Sequence, residues 1–230
     1  LTHVLGKSNG NNGMEKMSMY LRHRNKHDPA NANTEPRPER PIMSSPCNVA
    51  ILVGSLRKDS LNRKLALTLI ALAPPSLRLS ILEIGDLPLY NQDWEADPPQ
   101  PVVDFKQGLA AADAVLFVTP EYNRSVPAPL KNAIDVGSRP YGQSAWNGKP
   151  GAVITLSPGA IGGFGANHHL RQSLVFLNVP VLQQPEAYIG NAGSLFTPQG
   201  ELANDSTRAF LEKFLQAFAQ WVDRNAPRQA

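Results

Sequence analysis

Three short stretches of the chain combine polar side chains, glycines and prolines in patterns that suit a phosphate and a flat ring. The first covers residues 54–63 and reads G-S-L-R-K-D-S-L-N-R. It carries the hydroxyls of Ser55 and Ser60, the amide of Asn62 and the guanidinium of Arg57. A helix that begins here also presents unpaired N–H groups and the positive end of its dipole, and both attract a phosphate. The stretch therefore predicts a phosphate site.

The motif of residues 54–63 differs from the common nucleotide-binding loops. It contains neither G-x-x-x-x-G-K-[ST] nor G-x-G-x-x-G, so ATPase chemistry and dinucleotide binding lose support. A purely structural interpretation stays open, in which Ser60 caps the helix and Arg57 is a solvated charge. Asp59 would repel a phosphate, so we expect its side chain to face solvent or to hold the turn.

The second stretch, residues 119–135, reads T-P-E-Y-N-R-S-V-P-A-P-L-K-N-A-I-D. Its prolines predict a stiff loop, and loops on a rigid scaffold often bind ligands. We expect the backbone N–H groups of Glu121 to Asn123 to bond the polar edge of a ring, with Tyr122 as an apolar flank. The alternative is an ordinary proline-rich turn.

The third stretch, residues 157–165, reads S-P-G-A-I-G-G-F-G. Four glycines leave few Cβ atoms, so the backbone can approach a ligand closely and donate hydrogen bonds to it. The alternative is a flexible loop. Three unusual loops of this kind predict one crevice, with a phosphate at one end and a planar heterocycle at the other.

The elements around these loops predict an α/β fold. Short apolar runs alternate with amphipathic segments, which is typical of βαβ units and a parallel sheet. The predicted strands are 48–53, 77–83, 114–118, 151–157 and 181–188, and the predicted helices are 60–73, 101–112, 128–138, 166–177 and 205–225. We expect a three-layer α/β/α sandwich with strand order 2-1-3-4-5, which places the three loops at the carboxyl ends of adjacent strands.

The three motifs resemble those of the NADPH-dependent FMN reductases of the flavodoxin-like superfamily, especially the chromate and quinone reductase branch. The resemblance covers about residues 48–224. It implies that FMN is the cofactor, with its phosphate near residues 55–62, its isoalloxazine near 120–123 and its ring edge near Ser157. The FMN-binding residues implied in this way are Ser55, Arg57, Ser60, Leu61, Asn62, Pro120, Glu121, Tyr122, Asn123, Ser157, Gly159, Gly162 and Gly163.

The resemblance also implies the reaction. NADPH or NADH would pass a hydride to the flavin, and a small acceptor such as a quinone, an azo dye or chromate would then take its place. Hydride transfer needs no acid–base side chain, so we expect no catalytic residue. A homodimer or homotetramer is implied because loops of one subunit border the flavin of its neighbour, and residues 86–91 match such a segment.

Two other functions are compatible with the motifs. One is a flavodoxin-type electron carrier without turnover of small substrates, although such carriers dock through acidic surfaces. The other is a sensor of phosphate ligands without flavin. A hydrolase is not expected, because no G-x-S-x-G motif accompanies Glu121. We expect no metal site, since His168 and His169 lie about 100° apart on a helix and His23 and His27 lack acidic or cysteine partners.

Charge and composition exclude further classes of partner. Residues 1–46 hold seven Lys and Arg against four Asp and Glu, and the remaining 184 residues hold 15 of each. The body is neutral, which argues against nucleic-acid binding. No run approaches the roughly 18 apolar residues of a membrane span, so we expect no membrane insertion. The single cysteine, Cys47, favours a reducing cytoplasmic setting.

Residues 1–46 differ in composition from residues 47–230, which we interpret as the FMN-binding domain. The first segment shows no apolar periodicity, so we expect a disordered leader. The chain begins with Leu1, and Met43 precedes the first strand closely. An alternative is therefore that Met43 is the natural start and that residues 1–42 are an over-extended N-terminus.

Overall fold

The computed structural model describes residues 45–226, so the expectations for the leader concern residues that lie almost entirely outside the described range. Five strands, numbered in chain order, form a single parallel sheet in the order 2-1-3-4-5, as predicted. The strands are β1 (Cys47–Val53), β2 (Leu77–Ile81), β3 (Ala114–Thr119), β4 (Gly151–Leu156) and β5 (Ala187–Ile189). The helices are α1 (Leu61–Leu72), α2 (Gln100–Ala110), α3 (Ala128–Gly137), α4 (Phe164–Phe176) and α5 (Asp205–Asn225).

The ends of the helices follow local rules of sequence. Ser60 caps α1 and Asn204 caps α5, each by accepting a hydrogen bond from a backbone N–H group of the first turn. Proline stands in the first turn of α2 and of α3, where its missing N–H group costs no helical hydrogen bond. Helix α4 begins after Gly163 without a side-chain cap from its own segment.

Two apolar layers cover the sheet. Helices α1 and α5 pack on one face against alternate strand residues such as Ile51 and Leu116, with Trp221 at the margin of this cluster. Helices α2, α3 and α4 cover the other face, where Leu52, Phe117 and the fully buried Trp146 belong to one core cluster. Strands β3 and β4 are buried at every residue, because helices lie on both sides of them. The flavodoxin-like sandwich predicted from the sequence is confirmed.

The fifth strand is much shorter than predicted. Residues 181–188 were predicted as one strand, but only Ala187–Ile189 pairs with β4. Val181 makes an isolated bridge to Gly151, and the chain then leaves the sheet before Pro185. Proline has no N–H group for a strand ladder, which explains the interruption. Within the described range, no helix is long and apolar enough to cross a membrane.

Candidate functional site

The loop after β1 begins at the junction with β3. The N–H group of Gly54 donates to the carbonyl oxygen of Val118 at 2.9 Å, which continues the ladder by one bond. Gly54 also lies against Thr119, where no side chain would fit. The next residues, Leu56 to Asp59, are exposed. The exposure of Asp59 agrees with the expectation that its carboxylate faces solvent.

Ser60 has a structural role that the sequence left as an alternative. Its Oγ accepts a hydrogen bond from the backbone N–H group of Arg63 at 3.2 Å, and the residue is 2% exposed. Because the hydroxyl oxygen accepts this bond, its own hydrogen is available to a second partner. Helix capping and phosphate binding by Ser60 are therefore compatible, and the second stays a prediction.

The two arginines of the first motif, residues 54–63, differ in their partners. Arg63 forms a two-pronged ion pair with Glu83, with distances of 2.6 and 3.0 Å, which ties α1 to the segment after β2. The Arg63 guanidinium lowers the pKa of Glu83 from its ordinary value. Arg57 makes no ion pair within the described residues. A cavity of about 280 Å³ lies between the two arginines and is also lined by Ser55 and Asp86.

Asn62 is buried on the first turn of α1, with 5% of its surface exposed. Its Oδ1 has no hydrogen-bond partner within residues 45–226. A buried acceptor without a donor is costly, so such an atom in a native structure needs a partner from elsewhere. Asn62 is thus the residue of this loop that most directly indicates a bound polar group.

The loop after β3 contains a tight two-residue turn. The backbones of Tyr122 and Ser125 exchange two hydrogen bonds, with N to O distances of 3.1 and 2.9 Å. Asn123 and Arg124 between them have φ values of 49° and 63°, as in a type I′ turn. The side chain of Tyr122 is half exposed. The loop is therefore stiff for a reason beyond the predicted one, which was its prolines.

The glycines of the loop after β4 are required by the path of the chain itself. Gly162 and Gly163 have φ values of 66° and 79°. A Cβ atom on Gly162 would lie 2.6 Å from the carbonyl carbon of Tyr188, and one on Gly163 would lie 2.9 Å from Cβ of Thr155. The sequence predicted that these glycines allow a ligand to approach the backbone. At Gly162 and Gly163 the structure shows that neighbouring strands lie in the space that a Cβ atom would need. Binding of FMN at Gly162 and Gly163 stays a prediction.

The loops after adjacent strands contact one another. Gly54 of the first loop meets Thr119 at the start of the second. The side chain of Glu121 in the second loop accepts a hydrogen bond from the N–H group of Ala166, next to the third loop. Within the third loop, the hydroxyl oxygen of Ser157 accepts a hydrogen bond from the N–H group of Gly159 at 3.2 Å. The three predicted motifs thus follow one edge of the sheet as a continuous surface, which we name the strand-end site (residues 54–62, 120–125 and 157–163).

An aromatic cluster lies beside the third loop. The ring of His168 is 4.1 Å from that of Phe164 between centroids, and its Nε2 lies 3.2 Å from the hydroxyl oxygen of Tyr188. Burial and then the neighbouring carboxylate of Glu186 raise the pKa of Tyr188 to about 12. The sequence analysis gave His168 no role. The spacing of four residues between Phe164 and His168 was the available signal, because such residues share a helix face.

Comparison with known proteins decides the family. Residues 47–194 match the family model described as NADPH-dependent FMN reductase. The chain belongs to the NADPH-dependent FMN reductase family. The chain is 65% identical to a quinone reductase from Pseudomonas putida over 184 residues, which are 80% of this chain and 98% of that protein. It is 48% identical to a 2-hydroxy-1,4-benzoquinone reductase from a Burkholderia species, over 76% of this chain and 95% of the relative.

A solved structure supports the same assignment for this reductase. The flavoenzyme NAD(P)H:(acceptor) oxidoreductase from Paracoccus denitrificans is 45% identical, with a TM-score of 0.75, and the match covers 79% of this chain and all of that one. The chain is therefore an oxidoreductase whose cofactor is FMN and whose reductant is a nicotinamide. The alternatives of an electron carrier and a flavin-free sensor are thereby set aside.

The residues of the strand-end site fit this cofactor. FMN carries a phosphate, ribityl hydroxyls and a flat ring with polar edges. A hydroxyl can donate to the unpartnered Oδ1 of Asn62, and Arg57 has a guanidinium without an ion-pair partner in the described range. The half-exposed ring of Tyr122 offers an apolar flank. Residues 45–226 contain no cluster of three or more His, Cys, Asp or Glu residues that could hold a metal ion.

Proposed function

We propose that this reductase passes electrons from NADPH or NADH, through FMN at the strand-end site, to quinones. The observation that carries the acceptor class is the high identity with the Pseudomonas putida quinone reductase, together with the match over nearly all of that protein's length. The 2-hydroxy-1,4-benzoquinone reductase relative supports a benzoquinone as the test acceptor. Chromate is a second acceptor for the same assay, because an open redox site selects its acceptors weakly.

The first loop would hold the phosphate and the ribityl chain. Arg57 would supply a charge-assisted bond, and the first turn of α1 would contribute N–H groups and its dipole. Ser55, Ser60 and Asn62 would complete the polar contacts, and Leu61 would lie among them. The burial of Ser60 and Asn62 supports this role, since buried polar groups need hydrogen-bond partners.

The second and third loops would hold the ring. When bound, FMN supplies the redox chemistry, which is acceptance of a hydride from the nicotinamide and delivery of the electrons to the acceptor. Pro120 and the backbone of Glu121, Tyr122 and Asn123 would orient the ring. Donors placed near its polar edge would stabilise negative charge that develops during reduction. The backbone near Ser157, Gly159, Gly162 and Gly163 would border the opposite edge. No side chain of the protein is assigned proton transfer.

We further infer a homodimer through the face between α3 and α4. Two adjoining cavities of about 560 and 750 Å³ lie along this groove, and both are lined by Asp135, Ser138, Phe176 and Leu177. Phe176 is 85% exposed, so the face carries an exposed aromatic side chain beside a groove of mixed polarity. A two-fold interface requires one surface to complement itself, and an exposed side chain next to a groove does so. A second copy of the chain is therefore the occupant we propose, and a tetramer would pair two such dimers.

We place the enzyme in the cytoplasm, where NAD(P)H is available. The single cysteine agrees with this place, because a reducing compartment does not promote disulfide bonds.

The decisive experiment mixes the purified full chain with FMN, NADPH or NADH, and benzoquinone. We expect a yellow protein that oxidises the nicotinamide and forms an equal amount of hydroquinone. Binding of FMN without nicotinamide oxidation would indicate an electron carrier instead. A colourless protein that binds no FMN would contradict the proposed site altogether.

A further inference from the structure

Helix α4 begins without a cap from its own sequence. Its N-cap residue, Gly163, has no side chain, and the third residue of the helix, Ala166, would leave its N–H group unpaired. The carboxylate oxygen Oε2 of Glu121 accepts a hydrogen bond from this N–H group at 3.0 Å. A Ser, Thr, Asp or Asn at the N-cap normally makes this bond. Here a side chain 45 positions earlier in the chain makes it.

The same carboxylate also holds the turn that follows it. Its Oε1 accepts a hydrogen bond from the Nη1 group of Arg124 at 3.1 Å, and the side chain of Glu121 is only 11% exposed. Both carboxylate oxygens are therefore in use, one toward α4 and one toward the turn. A negative charge at a helix N-terminus is also favoured by the helix dipole.

Gly165 shows that the contact is close. A Cβ atom on Gly165 would lie 2.9 Å from Oε2 of Glu121 and 2.8 Å from the carbonyl oxygen of Arg124. Its φ is not in the left-handed region, so the backbone conformation does not require glycine. The position needs a glycine because the second loop packs directly on the first turn of α4. A bond between Ser125 Oγ and His169 Nδ1, at 3.0 Å, extends this contact by one turn.

We propose that Glu121 is a positioning residue, whose carboxylate caps α4 from the neighbouring loop and thereby fixes the Tyr122–Ser125 turn for flavin binding. The proposal rests on the proposed function for the place of FMN. It adds a side-chain role to the backbone role predicted for Glu121 from the sequence, because the carboxylate is engaged by the protein and only the backbone is available to the cofactor. The carboxylate acts through Tyr122 and Asn123.

The test compares Glu121→Ala with a matched loss of a helix cap elsewhere. Asn204 caps α5 through the N–H group of Thr207 at 2.8 Å, a bond of the same kind in a helix that packs on the other face of the sheet. We expect Glu121→Ala to raise the dissociation constant of FMN about tenfold and to alter the visible spectrum of the bound flavin. The dissociation constant of Asn204→Ala should stay within about twofold of the wild-type value. Glu121→Gln keeps an acceptor oxygen for Ala166 and should restore most of the affinity.

Two readouts do not depend on FMN. Hydrogen exchange of the Ala166 amide, followed in the apo-protein, should accelerate in Glu121→Ala and be preserved in Glu121→Gln. Gly165→Ala, which favours helix formation, should nevertheless accelerate exchange in residues 122–125 because it pushes the carboxylate away. Equal FMN affinity and equal exchange in Glu121→Ala and Asn204→Ala would overturn the proposal. A wild type that binds no FMN, with Ala166 protected by Glu121, would contradict the proposed function and leave the capping assignment supported.

Discussion

Gly54 and Thr119 meet where β1 and β3 end side by side, and the contact leaves no space for a further atom. A Cβ atom on Gly54 would lie 2.1 Å from Oγ1 and 2.7 Å from Cβ of Thr119. Thr119 is fully buried and cannot move aside easily. The first residue of the predicted phosphate loop is therefore a glycine because two strands converge beneath the site.

Gly54→Ala should reduce the free energy of unfolding by about 1–3 kcal/mol, because the added methyl group forces Thr119 out of its place in a packed core. FMN affinity should fall as well, since the loop after β1 would shift. Urea denaturation and fluorescence titration measure the two effects. Gly193→Ala is the control, because a Cβ at Gly193 has no atom within 4 Å. Equal stability of the two variants would show that the contact is more tolerant than its geometry indicates.

Asn62→Leu should separate stability from binding. Removal of a buried oxygen without a partner should leave the apo-protein equally stable or raise its free energy of unfolding by up to about 1–3 kcal/mol. If Asn62 contacts the cofactor as proposed, the same change should weaken FMN binding, because the amide is lost. Denaturation of the apo-protein and titration with FMN would be compared. A loss of stability with unchanged FMN affinity would contradict a binding role for Asn62.

Arg57→Ala should weaken FMN binding by about 1–3 kcal/mol if its guanidinium contacts the phosphate. The neighbouring exposed cation provides a control, since Lys58→Ala removes the same charge from the next position. We expect the Arg57 variant alone to show the full loss, and a titration with riboflavin, which lacks the phosphate, to show little difference between variants. Unchanged FMN affinity would remove Arg57 from the site.

The stability of the protein should fall in alkaline solution because of Tyr188. Its pKa is raised to about 12 in the folded chain, against an ordinary value of 10, so the folded state keeps the phenol proton longer than the unfolded state. The contribution is complete below pH 10 and is lost as the pH rises from 10 toward 12. Tyr188→Phe should flatten this part of the stability profile, and denaturation across that range measures it. An unchanged slope in the variant would assign the effect to other groups.

Phe176→Asp should dissociate the proposed dimer. A charge in place of the exposed ring would be buried without a partner at the interface. Light scattering coupled to size-exclusion chromatography measures the mass. Leu67→Asp is the control, because Leu67 is an exposed apolar residue of α1 on the opposite layer. A wild-type monomer, or dissociation of both variants, would contradict the assignment of this face.

The sheet was predictable because its signals are local and repeated. Continuous apolar runs, such as Ala114–Thr119, mark strands covered on both faces, and α1, α2 and α3 each begin at a capping serine or a first-turn proline. Strand β5 was predicted poorly because Val181 and Leu182, at the predicted start of the strand, are apolar for another reason, and residues 183–186 that follow are Q-Q-P-E. Leu182 packs into a core cluster from a segment that does not pair in the sheet. Hydropathy indicates burial there and does not indicate pairing.

The site was predictable at the level of loops and less so at the level of side chains. The bond by which Ser60 caps α1 joins residues only three positions apart, and the sequence predicted this cap as an alternative. The bond from Ala166 to Glu121 joins residues 45 positions apart, so no local pattern indicates it. The turn at Asn123 and Arg124 was missed because arginine is uncommon at a positive φ.

The two buried layers also carry separate optical probes. Trp146 lies within the layer formed by α2, α3 and α4, and Trp221 borders the layer of α1 and α5. The third tryptophan, Trp94, packs against the same layer as Trp146, so phenylalanine at Trp94 and at one of the other two indoles leaves a reporter for a single layer. Melting curves from such a pair of variants would coincide if both halves of the sandwich lose their structure in one cooperative step. The chain thus contains what is needed to ask whether its two halves are one folding unit.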